Sequence, residues 1–275
     1  MTHTNSMTST FDENIITVAF TAIPDMAIRN QLKSHGFAYN GKEQHWTAQY
    51  SSEREIWLSD KAQPSVKNEV FQGDCLKHLG SLSANSVDCV LTDPPYLVSY
   101  KDRSGRSIAN DDNDVWVAPL FDELYRVLKN DSFCIAFCAL PSIVAFMQAA
   151  QSSGFRSIGQ LIWPKRYSSS RYHLAFKHEQ ALVFAKGKPA KPEKALSTIQ
   201  KWHYSGNELH PTQKHTEILK VLIKHFTKEG DLVLDPFCGS GSTLVAAQKL
   251  ARHYIGMELN ENYVQITRER LESAS

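Results

Sequence analysis

The stretch "DLVLDPFCGSGSTLVAAQKLARHYIGMEL", Asp231 to Leu259, decides the fold. A short apolar run ends on an acid, Asp235, and gives way to a turn carrying Gly239 and Gly241. A helical run follows, and then a second strand-like run, "YIGMEL", that ends on Glu258. Glycines at such a turn let the backbone bend tightly and approach a ligand, with the amides of the helix start pointing at it. No Lys-Ser/Thr pair follows Gly241, so this is not a phosphate-cradling loop. "GSGSTL" also lacks the third glycine of a dinucleotide fingerprint. An acid at the end of the next strand is where a ribose diol is held by two hydrogen bonds. The predicted ligand therefore has a ribose and does not need a phosphate, with Glu258 as its anchor.

Outward from this unit the same rhythm continues. "EVFQGDC" (69–75) and "SVDCVLTD" (86–93) read as short strands ending in acids, and "SFCIAFC" (132–138), "SIGQLIW" (157–163) and "EQALVFA" (179–185) as further strands. Between them, 115–129 carries Trp116, Leu120, Leu124 and Leu128 in an i, i+4 stripe. Residues 213–228 place Ile218, Val221, Leu222 and Phe226 on one side, and helices are also expected over 142–152 and 261–273. Strands alternating with helices predict an α/β domain over 69–275, its sheet mostly parallel with helices on both faces. Ahead of it lies a small β-α-β-β unit over 13–58. It consists of strand "IITVAF", a helix opened by Pro24 and Asp25 and closed by Gly36, and a hairpin of "FAY" and "HWTAQY" around Asn40-Gly41. The polar residues 1–12 are expected to be disordered, and "SDKAQPSVKN" (59–68) reads as a linker.

Composition excludes several classes. The chain has 275 residues, a formal net charge of +1 and five cysteines with no CxxC pair, so neither a disulfide framework nor a zinc site is expected. No apolar run reaches the ~20 residues of a membrane helix. The start "MTHTNSMTSTFDEN" lacks a secretory plan, which points to a cytoplasmic protein without a membrane partner. Charge is informative only locally. From Lys165 to Lys191 there are seven Lys/Arg and one acid, Glu179, a strip suited to a phosphate backbone or to a solvated loop.

"VDCVLTDPPYLVSY", Val87 to Tyr100, ends a buried run in an acid, two prolines and a tyrosine. Pro94 and Pro95 remove backbone donors and fix φ, so Asp93 and Tyr96 sit on a stiff, non-repetitive turn. "TDPPY", then "HPTQK" (210–214), "LDPFCGSGST" and "GMELN" in that order resemble the S-adenosylmethionine-dependent DNA amino-methyltransferases. The order, DPPY before FxGxG, is that of their β group, and the resemblance covers about 70–275. It implies a Rossmann-like methyltransferase sheet with circularly permuted motif order. "DPPY" in that family goes with N6-adenine and "SPPY" with N4-cytosine.

The resemblance implies roles for these residues. Asp93 and the Pro94 carbonyl would accept the two N–H groups of the target amine, Pro95 would shape the turn, and Tyr96 would stack on a base taken out of the duplex. A fixed anion also stabilises the positive charge that develops on nitrogen as the methyl arrives. Around S-adenosylmethionine the resemblance sets Asp235, Phe237, Gly239 and Gly241, the hydroxyls of Ser242 and Thr243, Thr212 in the "HPTQK" block, Glu258 on the ribose and Asp74 near the adenine ring. That block usually continues with proline, and here His215 follows. No metal is implied.

The region 165–209 corresponds to the family's target-recognition segment, with Lys165, Arg166, Arg171 and Lys177 for phosphate contact and Tyr167 and Tyr172 between them. Asp111, Asp112 and Asp114 would repel phosphate, so their loop should turn from the backbone or close over the base. Double-stranded DNA is the implied partner. The resemblance also brings a homodimer and a cognate restriction nuclease, which no residue here specifies. N4-cytosine methylation, RNA adenine, a protein glutamine amide and a non-catalytic DNA-binding relative stand as alternatives. The amide methylators place "NPPY" after the glycine motif, unlike this chain.

Overall fold

The computed structural model describes residues 7–12, 15–20, 26–49, 51, 54, 67–100, 105, 108–168, 173–206 and 209–274. The chain divides into two compact units, Met1–Ser65 and Val66–Ser275. In the first, β1 (Met7–Asp12), β2 (Ile15–Phe20), β4 (His45–Gln49) and β3 (Ala38–Asn40) form an antiparallel sheet in that spatial order. Ile16, Val18, Trp46 and Ala48 alternate onto one face and meet Leu32 of α1 (Met26–Ser34) and Phe37 in a small core.

Strand β1 corrects the expected disorder over residues 7–12. It pairs with β2 from Met7↔Phe20 to Asp12↔Ile15. An edge strand is held through its backbone, so the Thr and Ser of "MTSTFD" give no apolar signal in the sequence. Among the described residues the elements named in this unit run β-β-α-β-β. Residues 1–6, and 59–66 of the expected linker, lie outside the described residues.

The second unit runs β5 (Glu69–Gln72), α2 (Cys75–Gly80), β6 (Val87–Thr92), α3 (Val117–Val127), β7 (Leu128–Cys138), α4 (Leu140–Ser152), β8 (Arg156–Pro164) and β9 (His178–Lys186). It continues with α5 (Thr216–Phe226), β10 (Leu232–Asp235), α6 (Ser242–Lys249), β11 (His253–Glu258) and α7 (Glu261–Ser273). Helix α3 is shorter than the expected 115–129, because Leu128 turns extended and enters β7 opposite Val87. The seven-stranded sheet has the order β5-β11-β10-β6-β7-β9-β8. Its first five strands are parallel, and β9 and β8 each run antiparallel to the strand before them in that order.

Both faces are covered, and the pleat sorts the side chains between them. Cys89, Leu91, Ile135, Phe137 and Val233 join one core with Ile218 and Leu222 of α5, Leu244 of α6 and Val264 of α7. Their neighbours Val87, Val90, Cys134, Leu232 and Leu234 join the opposite core with Leu120 and Phe121 of α3 and Phe146 of α4. Among the described residues no helix is long and apolar enough to cross a membrane.

Strands β10 and β6 lie side by side at the middle, paired Val233↔Cys89 and Leu234↔Val90. From β10 the chain crosses by α6 to β11 on one side; from β6 it crosses by α3 to β7 on the other. Helices α6 and α3 belong to opposite cores. This reversal opens a crevice beyond the carboxyl ends of the two strands, which is where open α/β sheets hold ligands.

Candidate active site

A cavity of about 550 Å³ occupies that crevice. Its walls come from the turn after β6 (Asp93 to Tyr96), the turn after β10 (Asp235 to Ser240), Ser242 and Thr243 at the start of α6, Glu258 at the end of β11, Asp74 after β5, and the 210–214 turn before α5. Of the residues expected at a cofactor or target site, Gly241 is not on the wall. It caps α6 with φ +80°, and a Cβ there would stand 2.5 Å from Thr267 Cγ2, so glycine is required for α6 to pack on α7. The structure gives it a packing role two residues after Gly239, between wall residues Ser240 and Ser242.

The turn after β6 is stiff for more reasons than its prolines. Pro94 and Pro95 are buried, and Leu97 and Ser99 hold positive φ without being glycine. Asp111 pins this strained backbone, accepting from Leu97 N and Tyr100 N at 2.7 Å each while only 2 % exposed. Its carboxylate is spent on the turn, and residues 108–111 of its loop line the cavity. Asp112 and Asp114 are exposed.

Asp93 has two partners. Lys214 Nζ donates to its Oδ2 at 2.6 Å and to Tyr96 Oη at 3.0 Å, and the Tyr96 hydroxyl donates to Asp93 Oδ1. Lys214 is 8 % exposed in its side chain and Asp93 20 %. Burial pushes the Asp93 carboxyl upward, and the Lys214 ammonium opposes that. For Lys214, burial favours the neutral amine, but Asp93 and Glu179 outweigh it and hold the ammonium above its usual range. Lys214 was not singled out from sequence. Its place as the last residue of "HPTQK" was the available signal.

Asp235 bridges the two central strands. It accepts from Thr92 Oγ1 at 2.9 Å and from Phe237 N at 3.1 Å, and burial lifts it to about 7. Glu258 takes Gly239 N on one oxygen at 3.0 Å and Asn260 N on the other at 2.8 Å, which aims it into the cavity, and burial raises it as well. Asp74 spends Oδ1 on capping α2 through Leu76 N at 2.8 Å, a role that sequence had not given it. The Thr212 hydroxyl shares a hydrogen bond with His210 Nδ1 at 3.2 Å. His215, standing where proline is usual, caps α5 by accepting from Glu217 N at 3.2 Å. Phe237 lines the cavity and sets its ring edge-on to Trp116 at 5.5 Å.

The described lining residues include five carboxyls, of Asp74, Asp93, Asp111, Asp235 and Glu258, against one ammonium, that of Lys214. Such a cavity suits a ligand that brings positive charge and hydroxyls, and it disfavours a phosphate.

The basic strip is thinner than its sequence. Lys165 is corrected as a surface contact: it is 7 % exposed, its ammonium is 2.7 Å from Glu179 Oε1, and it lies 5.5 and 5.7 Å from the ring centres of Tyr167 and Trp202. Lys186 is also internal and donates to Asn85 Oδ1 and to the Tyr125 and Leu128 carbonyls. Arg166 and Lys177 are exposed; Arg171 and Tyr172 lie outside the described residues. Exposed Tyr167 and Tyr204 meet edge-to-face at 5.9 Å on the same segment.

Comparison with known proteins matches residues 87–269 to the DNA methylase family model of the N6/N4 type. YubD of Escherichia coli (strain K12), which is named as a methylase, is 46 % identical over 201 residues, spanning 73 % of this chain and 88 % of its own. The type II methyltransferase M2.DpnII of Streptococcus pneumoniae is 28 % identical over 251 residues, spanning 75 % and 91 %. Among solved structures, the M1.HpyAVI–SAM complex superposes with a TM-score of 0.60 at 24 % identity, covering 74 % of this chain and 98 % of that one. The cytosine-N4-specific PvuII DNA methyltransferase superposes with 0.61 at 18 % identity, covering 76 % and 88 %. These structural likenesses establish the Rossmann-like fold.

Proposed function

The chain belongs to the DNA amino-methyltransferases of the N6/N4 type, and from that premise we propose that it methylates the N6 amine of adenine in double-stranded DNA, with S-adenosylmethionine as donor. The observation that carries this reading is the joining, in one cavity, of the Asp93–Tyr96 turn with the Asp235–Ser240 turn at adjacent strand ends. The donor chemistry fits the donor set: a sulfonium and an ammonium meet an excess of carboxylates, and a ribose diol meets Glu258, whose orientation two backbone amides already fix. When bound, the cofactor supplies an electrophilic methyl group.

The chain's own residues prepare the other reactant. An exocyclic amine is a weak nucleophile because its lone pair is delocalised into the ring. Asp93 and the Pro94 carbonyl accept its two N–H groups, which frees the lone pair, and the anion stabilises charge growing on nitrogen. The pinned backbone keeps those acceptors where in-line attack needs them. The target amine lies inside the duplex stack, so the base is flipped out, and Tyr96 offers it a ring. Asp93 in the first position of the motif, in place of serine, supports adenine over cytosine. Arg166 and Lys177 serve phosphate contact. The compartment of this reading is the bacterial cytoplasm, where the DNA is. A second copy of the chain and a nuclease partner are not needed for the chemistry.

The test is base-resolved sequencing of DNA from cells with and without the expressed protein. N6-methyladenine in a fixed short context is the expected result; N4-methylcytosine would move the assignment to the other branch of the family, and unmodified DNA would refute catalysis.

A further inference from the structure

The ion pair between Lys214 and Asp93 joins residues 121 apart in sequence, in the wall of the cavity. A lysine buried to this degree is costly unless it is paired. Its ammonium touches both Asp93 Oδ2 and the Tyr96 hydroxyl, and it also lies over the Phe137 and Tyr96 rings, 4.9 and 5.4 Å from the ring centres. We propose that Lys214 is a positioning residue for methyl transfer: its fixed positive charge keeps the buried Asp93 an anion, and so an acceptor, at neutral pH. This rests on reading Asp93 as the acceptor of the target amine.

The chemistry behind it is short. A protonated Asp93 would turn one of its oxygens from acceptor to donor and would lose the negative charge that stabilises the positive charge growing on the amine nitrogen, so the rate would fall. The charged groups that face Asp93 are few. Lys214, at the foot of α5, lowers its proton affinity, and the Tyr96 hydroxyl does so more weakly; Glu179 on β9 raises it. Asp93 in turn presses on Cys138 of β7 and Asp235 of β10. Glu179 is itself occupied by Lys165 from the end of β8. With Lys214 gone, burial and Glu179 act on Asp93 together, opposed only by the Tyr96 hydroxyl, and the carboxyl takes up a proton at a higher pH. The ammonium and the Tyr96 hydroxyl occupy two lone-pair positions of a carboxylate that has about four, so an amine can still be received.

The test is the pH dependence of single-turnover methyl transfer to duplex DNA by the full chain, for the native protein, Lys214→Met, Lys214→Arg and Asp93→Ala. Removing an opposite charge at this distance shifts a carboxyl by about 1–3 pH units. Lys214→Met should therefore move the acid limb of the rate upward by at least about one unit, with most of the rate returning at high pH. Lys214→Arg should keep the native limb even if its rate falls, and S-adenosylmethionine affinity should stay within about threefold throughout. An unmoved limb in Lys214→Met would overturn the proposal, as would a limb displaced in Lys214→Arg, which keeps the charge; the arginine variant decides alone if the methionine one does not fold. Loss of activity in Asp93→Ala at every pH keeps the underlying reading intact in either case, whereas an active Asp93→Ala would remove that reading itself.

Discussion

Replacing Gly241 by alanine separates packing from ligand binding at the glycine turn. The new Cβ would stand 2.5 Å from Thr267 Cγ2 and 2.9 Å from Thr267 Oγ1, on a backbone with φ +80°. The left-handed conformation costs a non-glycine residue about 1–2 kcal/mol, and forcing a methyl into a filled space about 1–3 kcal/mol more. Together they destabilise the fold by about 2–5 kcal/mol, which for a unit of this size lowers the melting temperature by about 5–15 °C. Thermal unfolding followed by circular dichroism reads the loss. The double variant Gly241→Ala/Thr267→Ser removes the nearer atom and keeps the hydroxyl that donates to Gly239 O at 2.8 Å, so it should recover about 1–2 kcal/mol. A Gly241→Ala protein that melts at the native temperature but no longer binds S-adenosylmethionine would refute this reasoning and return Gly241 to the ligand.

Asp235 holds its proton up to about 7, against an ordinary 3.8, so the folded state is the more protonated one between those values and stability must fall as pH rises through that window. The full fall is about 4 kcal/mol, and Asp235→Asn should flatten it; parallel urea-unfolding curves across pH for the two proteins would contradict the assignment. Glu258→Gln removes a charged acceptor and should weaken S-adenosylmethionine binding about 10- to 100-fold with DNA affinity unchanged, as read by calorimetric titration. Lys165→Met leaves the half-buried Glu179 without its ammonium partner and should destabilise the fold by about 1–3 kcal/mol, whereas Arg166→Ala and Lys177→Ala should leave stability alone and each reduce the salt slope of DNA binding by about one. Equal effects from all three on salt dependence would mean that Lys165 reaches the phosphates after all.

What the sequence makes legible depends on how local the signal is. Strand β10, its glycine turn, α6, β11 and α7 are written in consecutive residues. An apolar run, a turn type and a helical period announce them before any contact is known. The stiffness of the turn after β6 is equally visible in Pro94 and Pro95. Strand β1 is not, because edge pairing needs only backbone and four of the six residues of "MTSTFD" are polar. Lys165 and Lys186 read as solvent-facing because a charge carries no mark of burial; their partners, Glu179 for one and two carbonyls with Asn85 for the other, come from elsewhere in the fold. Lys214 and Asp111 were missed for the same reason. Each acts on the turn after β6 across a distance that no periodicity spans.

The account stands on an anionic amine acceptor facing the methyl donor's cavity. Single-turnover transfer of a tritiated methyl group to duplex DNA by Asp93→Ala, with DNA binding followed in parallel by gel shift, tests it most directly. The predicted result is a rate reduced by at least about 10²–10³-fold with DNA affinity near native; transfer at the native rate would contradict it.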